Sequence, residues 1–148
     1  MDEDVKYARQ VVARDPMAVY LGIQVETVKR AYARLSLRIE PQYLNAVNRA
    51  HGMAISALID QAVAVASNAT EYQALVFELK INFLGAVSPG DTITAEASPL
   101  DLKRKLSLWQ VEVKDTKENR VALAQALAYH RPKKEAPTGG HLQKKGEL

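Results

Sequence analysis

The sequence contains no cysteine, which excludes disulfides, thiolate zinc sites and cysteine nucleophiles at once. It has three histidines, His51, His130 and His141, too scattered for the ligand spacing of a metal site. No apolar run approaches the roughly 20 residues needed to cross a bilayer. The longest mostly apolar stretch, residues 53–66, is broken by Ser56, Asp60 and Gln61. The N-terminus is acidic (Asp2, Glu3, Asp4) and lacks a signal peptide's basic start and apolar stretch. A cytoplasmic protein with no membrane partner is expected.

What is present suits one globular domain. The 148 residues are 47% apolar and 25% charged, enough chain for a sizeable core. The net charge of +3 is concentrated at one end. Arg131, Lys133, Lys134, Lys144 and Lys145 stand against Glu135 and Glu147, so residues 131–148 carry +3 and the rest is neutral. A nucleic-acid binder shows a basic stripe on a folded face. Here the excess sits in a tail containing proline and glycine, so no nucleic-acid partner is expected. The division is a single domain over residues 1–131 and a basic tail over residues 132–148.

Residues 4–14 place Val5, Ala8, Val11 and Val12 at helical spacing. Asp15-Pro16 stops that helix, and Pro16 suits the first turn of another running to Leu21. Residues 25–39 read as extended: Ala33, Leu35, Leu37 and Ile39 alternate with Arg34, Ser36, Arg38 and Glu40. Pro41 ends the run, and residues 42–49 form a polar loop. Residues 51–69 change period and predict a helix, rich in alanine. Met53, Ile55, Leu58, Ile59, Ala62, Val63, Val65 and Ala66 cover nearly its whole circumference. Such a helix must be buried inside something. Four strand-like segments follow, at 74–84, 92–102, 106–114 and 121–131, with turns at 88–91 and 116–120 and a tight connection at 103–105. Together these predict an α+β fold: an antiparallel sheet wrapped around one long helix and closed off by a partner subunit.

The helix start carries the chemistry. Gly52 stands where the first backbone N–H groups lack helical partners, and those groups can hold an oxygen that gains negative charge. Asp60 lies mid-helix among apolar residues, where an ionised carboxylate is costly unless it is used or paired. Eight positions separate the two, roughly 12 Å at about 1.5 Å per residue. One chain's pair is too far apart to act on the same carbonyl carbon. Gly52 of one subunit and Asp60 of another converge if two such helices pack antiparallel.

Asn45, His51-Gly52 and Asp60, at their spacing, resemble the hot-dog-fold acyl-CoA thioesterases of the phenylacetate-degradation (PaaI-like) type. The resemblance runs from about Asp15 to Arg131 and includes INFLGAVSPGDTITAEA and LKRKLSLWQVEVKDTKENRVALAQALAYH. It implies hydrolysis of an acyl-CoA thioester by a homodimer or dimer of dimers, with no metal or redox cofactor. By position, Asp60 is the nucleophile or general base and the Gly52 N–H the oxyanion donor. Asn45 would orient the nucleophile or water, and His51 would shape the loop or contact the thioester. The hairpin Lys103, Arg104 and Lys105 would meet the nucleotide phosphates of coenzyme A, with Arg131, Lys133 and Lys134 as a second candidate. Two departures bear on the substrate. Met53 replaces the usual second glycine near the acyl pocket, and Val76 stands where some relatives carry a hydroxyl.

Each residue also has a plainer reading. Asp60 could be a structural carboxylate, Gly52 a helix-entry glycine, and His51 a cap or core residue. Asn45, like its rival Asn48, could be a turn residue. Ser56 has no adjacent base and is expected to bond its own helix backbone. Glu78 is read as a surface or paired carboxylate. Two other activities remain: a hot-dog hydratase or dehydratase, and a non-catalytic acyl-CoA binder.

Overall fold

The computed structural model describes residues 2–132, so the basic tail falls outside the described residues from position 133. Asp2 caps α1 (Glu3–Gln10), its carboxylate accepting the Asp4 N–H at 2.8 Å. A 3-10 turn (Val12–Arg14) follows, and Asp15 caps α2 (Pro16–Leu21) by accepting the Ala18 N–H at 2.9 Å. Each cap satisfies an N–H that its helix cannot pair. Gly22, at φ +79°, turns the chain out of α2 in the left-handed conformation.

The extended run expected over 25–39 is in fact a hairpin, β1 (Gln24–Lys29) against β2 (Tyr32–Arg38). It turns at Arg30 and Ala31, with no glycine, asparagine or proline to mark it. Ala31 has φ 53°, a region that costs a residue with a Cβ about 1–2 kcal/mol. A tertiary contact anchors the turn: the Ala31 N–H donates to the Ala69 carbonyl at 3.0 Å.

The helix expected over 51–69 is α3 (Gly52–Asn68), with His51 as its N-cap. After it come β3 (Gln73–Phe83), β4 (Thr92–Leu102), β5 (Leu106–Lys114) and β6 (Arg120–Arg131). All six strands form one antiparallel sheet in the order β1-β2-β4-β5-β6-β3. Consecutive strands β3 and β4 therefore do not pair. β3 lies at the far edge beside β6, and residues 84–91 carry the chain across to β4 beside β2. Pro99, which has no N–H to donate, sits in β4 just beyond Ala97, where pairing with β2 ends.

The sheet wraps α3. Leu35 and Leu37 from β2, Ile93 from β4 and Trp109, Val111 and Val113 from β5 are fully buried beneath it, with Leu58, Ile59 and Val63 of the helix. β6 contributes an inward row of small residues, Ala122, Ala124, Ala126 and Ala128, which lets the helix approach the sheet closely. This is the hot-dog arrangement that the resemblance implied. No helix among the described residues is long and apolar enough to cross a membrane.

Candidate active site

The sheet leaves one side of α3 uncovered, the side that the sequence reading assigns to a partner subunit. Met53 and Asp60 are exposed, and Ser56, Ala57 and Ala64 are half-exposed, forming one stripe along the helix. Ser56 spends its hydroxyl on its own helix, donating to the Gly52 carbonyl at 2.7 Å. Asp60 stands on this uncovered stripe rather than in the core.

At the start of α3 the cap fixes the backbone from two directions. His51 Nδ1 accepts the Met53 N–H at 2.9 Å, which leaves the ring proton on Nε2 as a donor. The His51 N–H donates to the Tyr43 carbonyl at 2.7 Å, fixing the cap to the preceding loop. Among the described residues nothing accepts the Gly52 N–H. A Cβ built on Gly52 would meet Phe83 Cζ at 3.3 Å, so the ring at the end of β3 packs directly over the glycine. Glycine is what permits that close approach.

Asp60 opens into a groove of about 600 Å³ between α2, α3 and the loop before α3. Its walls are mostly apolar (Met17, Leu21, Ile23, Leu44, Met53, Ala57), with Asp15, Tyr43, His51 and Gln61 as polar points. Partial burial, and then the negative charge of Asp15, hold the Asp60 carboxyl above its ordinary pKa. A raised pKa makes a carboxylate a stronger base. Tyr43, which also lines the groove, donates its hydroxyl to the Leu21 carbonyl at 2.5 Å. Burial first, and then Glu40, push its phenol pKa up, so it stays a donor.

The structure thus brings His51, Met53 and Asp60 to one groove, with Gly52 beside it. Asn45 is differently engaged: its side-chain oxygen accepts the N–H groups of Val47 and Arg49, both at 3.0 Å, as a turn residue does. Asn48, its rival, takes a left-handed φ of 57° in the same loop. Lys103 and Arg104 line a separate cavity of about 140 Å³ with Thr70, Glu71, Tyr72 and His130, and the exposed Lys105 is not among its lining residues. Val76 is half-buried just before a bulge in β3, and Glu78 is exposed. Asp15, Gln42, Tyr43 and Gln61 line the groove and were not among the expected site residues. In sequence, Asp15 belongs to an Asp-Pro helix stop; its place near Asp60 depends on the preceding 3-10 turn packing on α3, which no spacing encodes. Among the described residues no cluster of His, Asp and Glu is arranged to hold a metal ion.

A single antiparallel sheet wrapped on one long helix, with a carboxylate on the helix's uncovered stripe, defines the hot-dog class. Within that class the family is specific: the thioesterase superfamily model matches residues 48–122, and the chain belongs to that superfamily. A curated protein of Archaeoglobus fulgidus is 32% identical over 115 residues, covering 78% of this chain and 75% of its own. The acyl-coenzyme A thioesterase PaaI of Escherichia coli is 28% identical over 116 residues, covering 78% of this chain and 83% of its own. The solved structure of that E. coli protein, from the phenylacetic acid degradation operon, superposes with a TM-score of 0.84 at 24% identity, over 89% of this chain and 96% of the other. A Streptococcus mutans protein bound to acetyl CoA superposes with a TM-score of 0.73 at 22% identity, over 76% and 91% of the two chains. The chain is a PaaI-like hot-dog thioesterase.

Proposed function

We propose that the protein hydrolyses an acyl-CoA thioester to the free acid and coenzyme A at a site shared by two subunits. The observation that carries this reading is the uncovered stripe of α3, with an unpartnered Gly52 N–H at its start and a basic Asp60 carboxylate in an apolar groove further along. Similarity to the E. coli acyl-CoA thioesterase, and to a relative that binds acetyl CoA, supports the substrate class.

Asp60 takes a proton from water as the water oxygen attacks the thioester carbon, or attacks that carbon itself. The Gly52 N–H of the other subunit holds the carbonyl oxygen as it gains charge. The C–S bond then breaks, and the thiolate of coenzyme A leaves and is protonated. Where Asp60 attacks directly, this gives an aspartyl anhydride that water then hydrolyses to the free acid and the regenerated carboxylate. The spacing of Gly52 and Asp60 on one helix requires two helices packed antiparallel, so the working unit is a homodimer or a dimer of dimers. Asn45 and His51 assist at the same junction, Met53 borders the acyl group, and Lys103, Arg104 and Lys105 contact the nucleotide phosphates. No cofactor is required.

Complementation tests the shared site. Asp60→Asn and Gly52→Val chains should each be inactive alone. Unfolded together and refolded, they should recover about a quarter of wild-type thiol release, since half of random dimers are mixed and each holds one intact site. No recovery from properly folded mixed dimers would reject a site made across subunits. A dehydratase reading draws on His51 and Asp60 sharing one groove; absorbance of a conjugated enoyl thioester without thiol release would favour it.

A further inference from the structure

The groove holds a second carboxylate that the proposed reaction does not use. Asp15 lines it together with Asp60, and among the described residues no lysine or arginine lines it. The titratable groups facing Asp60 are Asp15 from the cap of α2, Tyr43 from the loop before α3, and His51 from the cap of α3 itself. Tyr43 is committed as a donor to the Leu21 carbonyl, and His51 Nδ1 is committed as the acceptor of the Met53 N–H. Asp15 is therefore the groove's remaining anion.

Its position is fixed from two directions. One oxygen of Asp15 accepts the Ala18 N–H at 2.9 Å, which holds the side chain at the start of α2. Gln61, the neighbour of Asp60 on α3, donates from Nε2 to the Val12 carbonyl at 2.8 Å and ties the segment just before Asp15 to the same helix. The backbone that carries Asp15 is thus fastened one residue from Asp60.

We propose that Asp15 is a positioning residue of the site, a capped carboxylate whose fixed charge acts on Asp60 across the groove. A second negative charge in the same apolar groove disfavours the ionised Asp60 carboxyl, which therefore keeps its proton to higher pH. Asp60 becomes the stronger base, which suits it to take a proton from water near neutral pH. The role assigned to Asp15 is exerted through Asp60. This inference rests on Asp60 being the base, and its direct measurement does not depend on catalysis.

Asp15→Asn is the test, because asparagine caps a helix as well as aspartate and removes only the charge. The Asp60 carboxyl can be followed by carbon NMR as pH falls, in wild type, Asp15→Asn and Asp15→Glu. The titration midpoint should move to lower pH in Asp15→Asn and stay near wild type in Asp15→Glu. The acid limb of kcat/KM should move in step, again to lower pH, with a lower plateau near neutrality. An unmoved midpoint overturns the proposal, and so does an unmoved acid limb in a protein whose midpoint has shifted. If the midpoint shifts but Asp60→Asn still releases thiol at the wild-type rate, the carboxylate pair stands and the assignment of Asp60 as base fails.

Discussion

His51 Nδ1 accepts the backbone N–H of Met53 at 2.9 Å, so the residue that would contact the thioester is also the cap of the helix bearing the site. The two roles separate by substitution. His51→Ala loses the cap and should lower stability by about 1 kcal/mol, whereas His51→Asn should restore most of it. If Nε2 takes part in the reaction, both variants should show the same loss of kcat/KM. Recovery of kcat/KM in His51→Asn would leave His51 a cap alone.

Asp60 carries a stability consequence of known sign. Its folded pKa lies above the ordinary value, chiefly through burial and secondly through Asp15. Between the unfolded and folded pKa the native state therefore holds more protons, so stability falls as pH rises through that window. At pH 7 the charged form is a liability to the fold. Asp60→Asn should raise Tm at pH 7, with the difference shrinking once pH drops below the ordinary carboxylate range. The same variant should lose about 10²–10⁴-fold in kcat, the usual worth of a general base. Gain in one measurement and loss in the other mark a residue retained for function.

Gly52 sits 3.3 Å from Phe83 Cζ as measured from a built Cβ. Phe83 is 51% exposed, so its ring can yield by a few tenths of an ångström. Gly52→Ala should therefore change stability by no more than about 1 kcal/mol, as alanine's better helix propensity offsets the crowding. Thiol release should nevertheless fall about tenfold or more, because the methyl obstructs the approach to a backbone N–H acting as oxyanion donor. Gly52→Ala with Phe83→Leu relieves the crowding and should not restore turnover.

The sequence shows α3, β4 and β5 almost to the residue because turn residues bound each of them and their apolar residues recur at the helical or strand period. It hides the hairpin between β1 and β2, since Ala31 adopts a left-handed φ with no residue type to announce it and leans on Ala69 from a distant element. The strand order was hidden for the same reason: β3 pairs with β6, a choice made by tertiary packing rather than by local spacing. In the site, Gly52 and Asp60 are visible by position on one helix. Asp15 and Tyr43 are not, because each reaches the groove through the path of a loop.

The basic hairpin at Lys103–Lys105 offers a last test, through the buried network behind it. Trp109 donates its indole N–H to Ser107 Oγ at 2.7 Å. The Ser107 hydroxyl has one proton, which goes to His130 Nε2 at 2.7 Å; His130 Nδ1 then donates to the Arg104 carbonyl at 3.0 Å. Trp109, Ser107 and His130 are all buried, and Tyr72 stacks on the imidazole at 4.7 Å between ring centroids. One hydroxyl thus satisfies two buried groups and, through His130, ties the hairpin to β6. Ser107→Ala orphans both, and each orphan costs about 1–3 kcal/mol. Urea denaturation should therefore show a loss of at least about 2 kcal/mol, several times what a surface serine would give. In a Trp109→Phe background one of the two orphans no longer exists, so the additional cost of Ser107→Ala should drop by about 1 kcal/mol or more. Equal costs in the two backgrounds would mean that the indole bond contributes nothing. If the hairpin meets coenzyme A phosphates, Ser107→Ala should also raise KM with kcat little changed, because the loosened tip would weaken binding without touching Asp60 or Gly52.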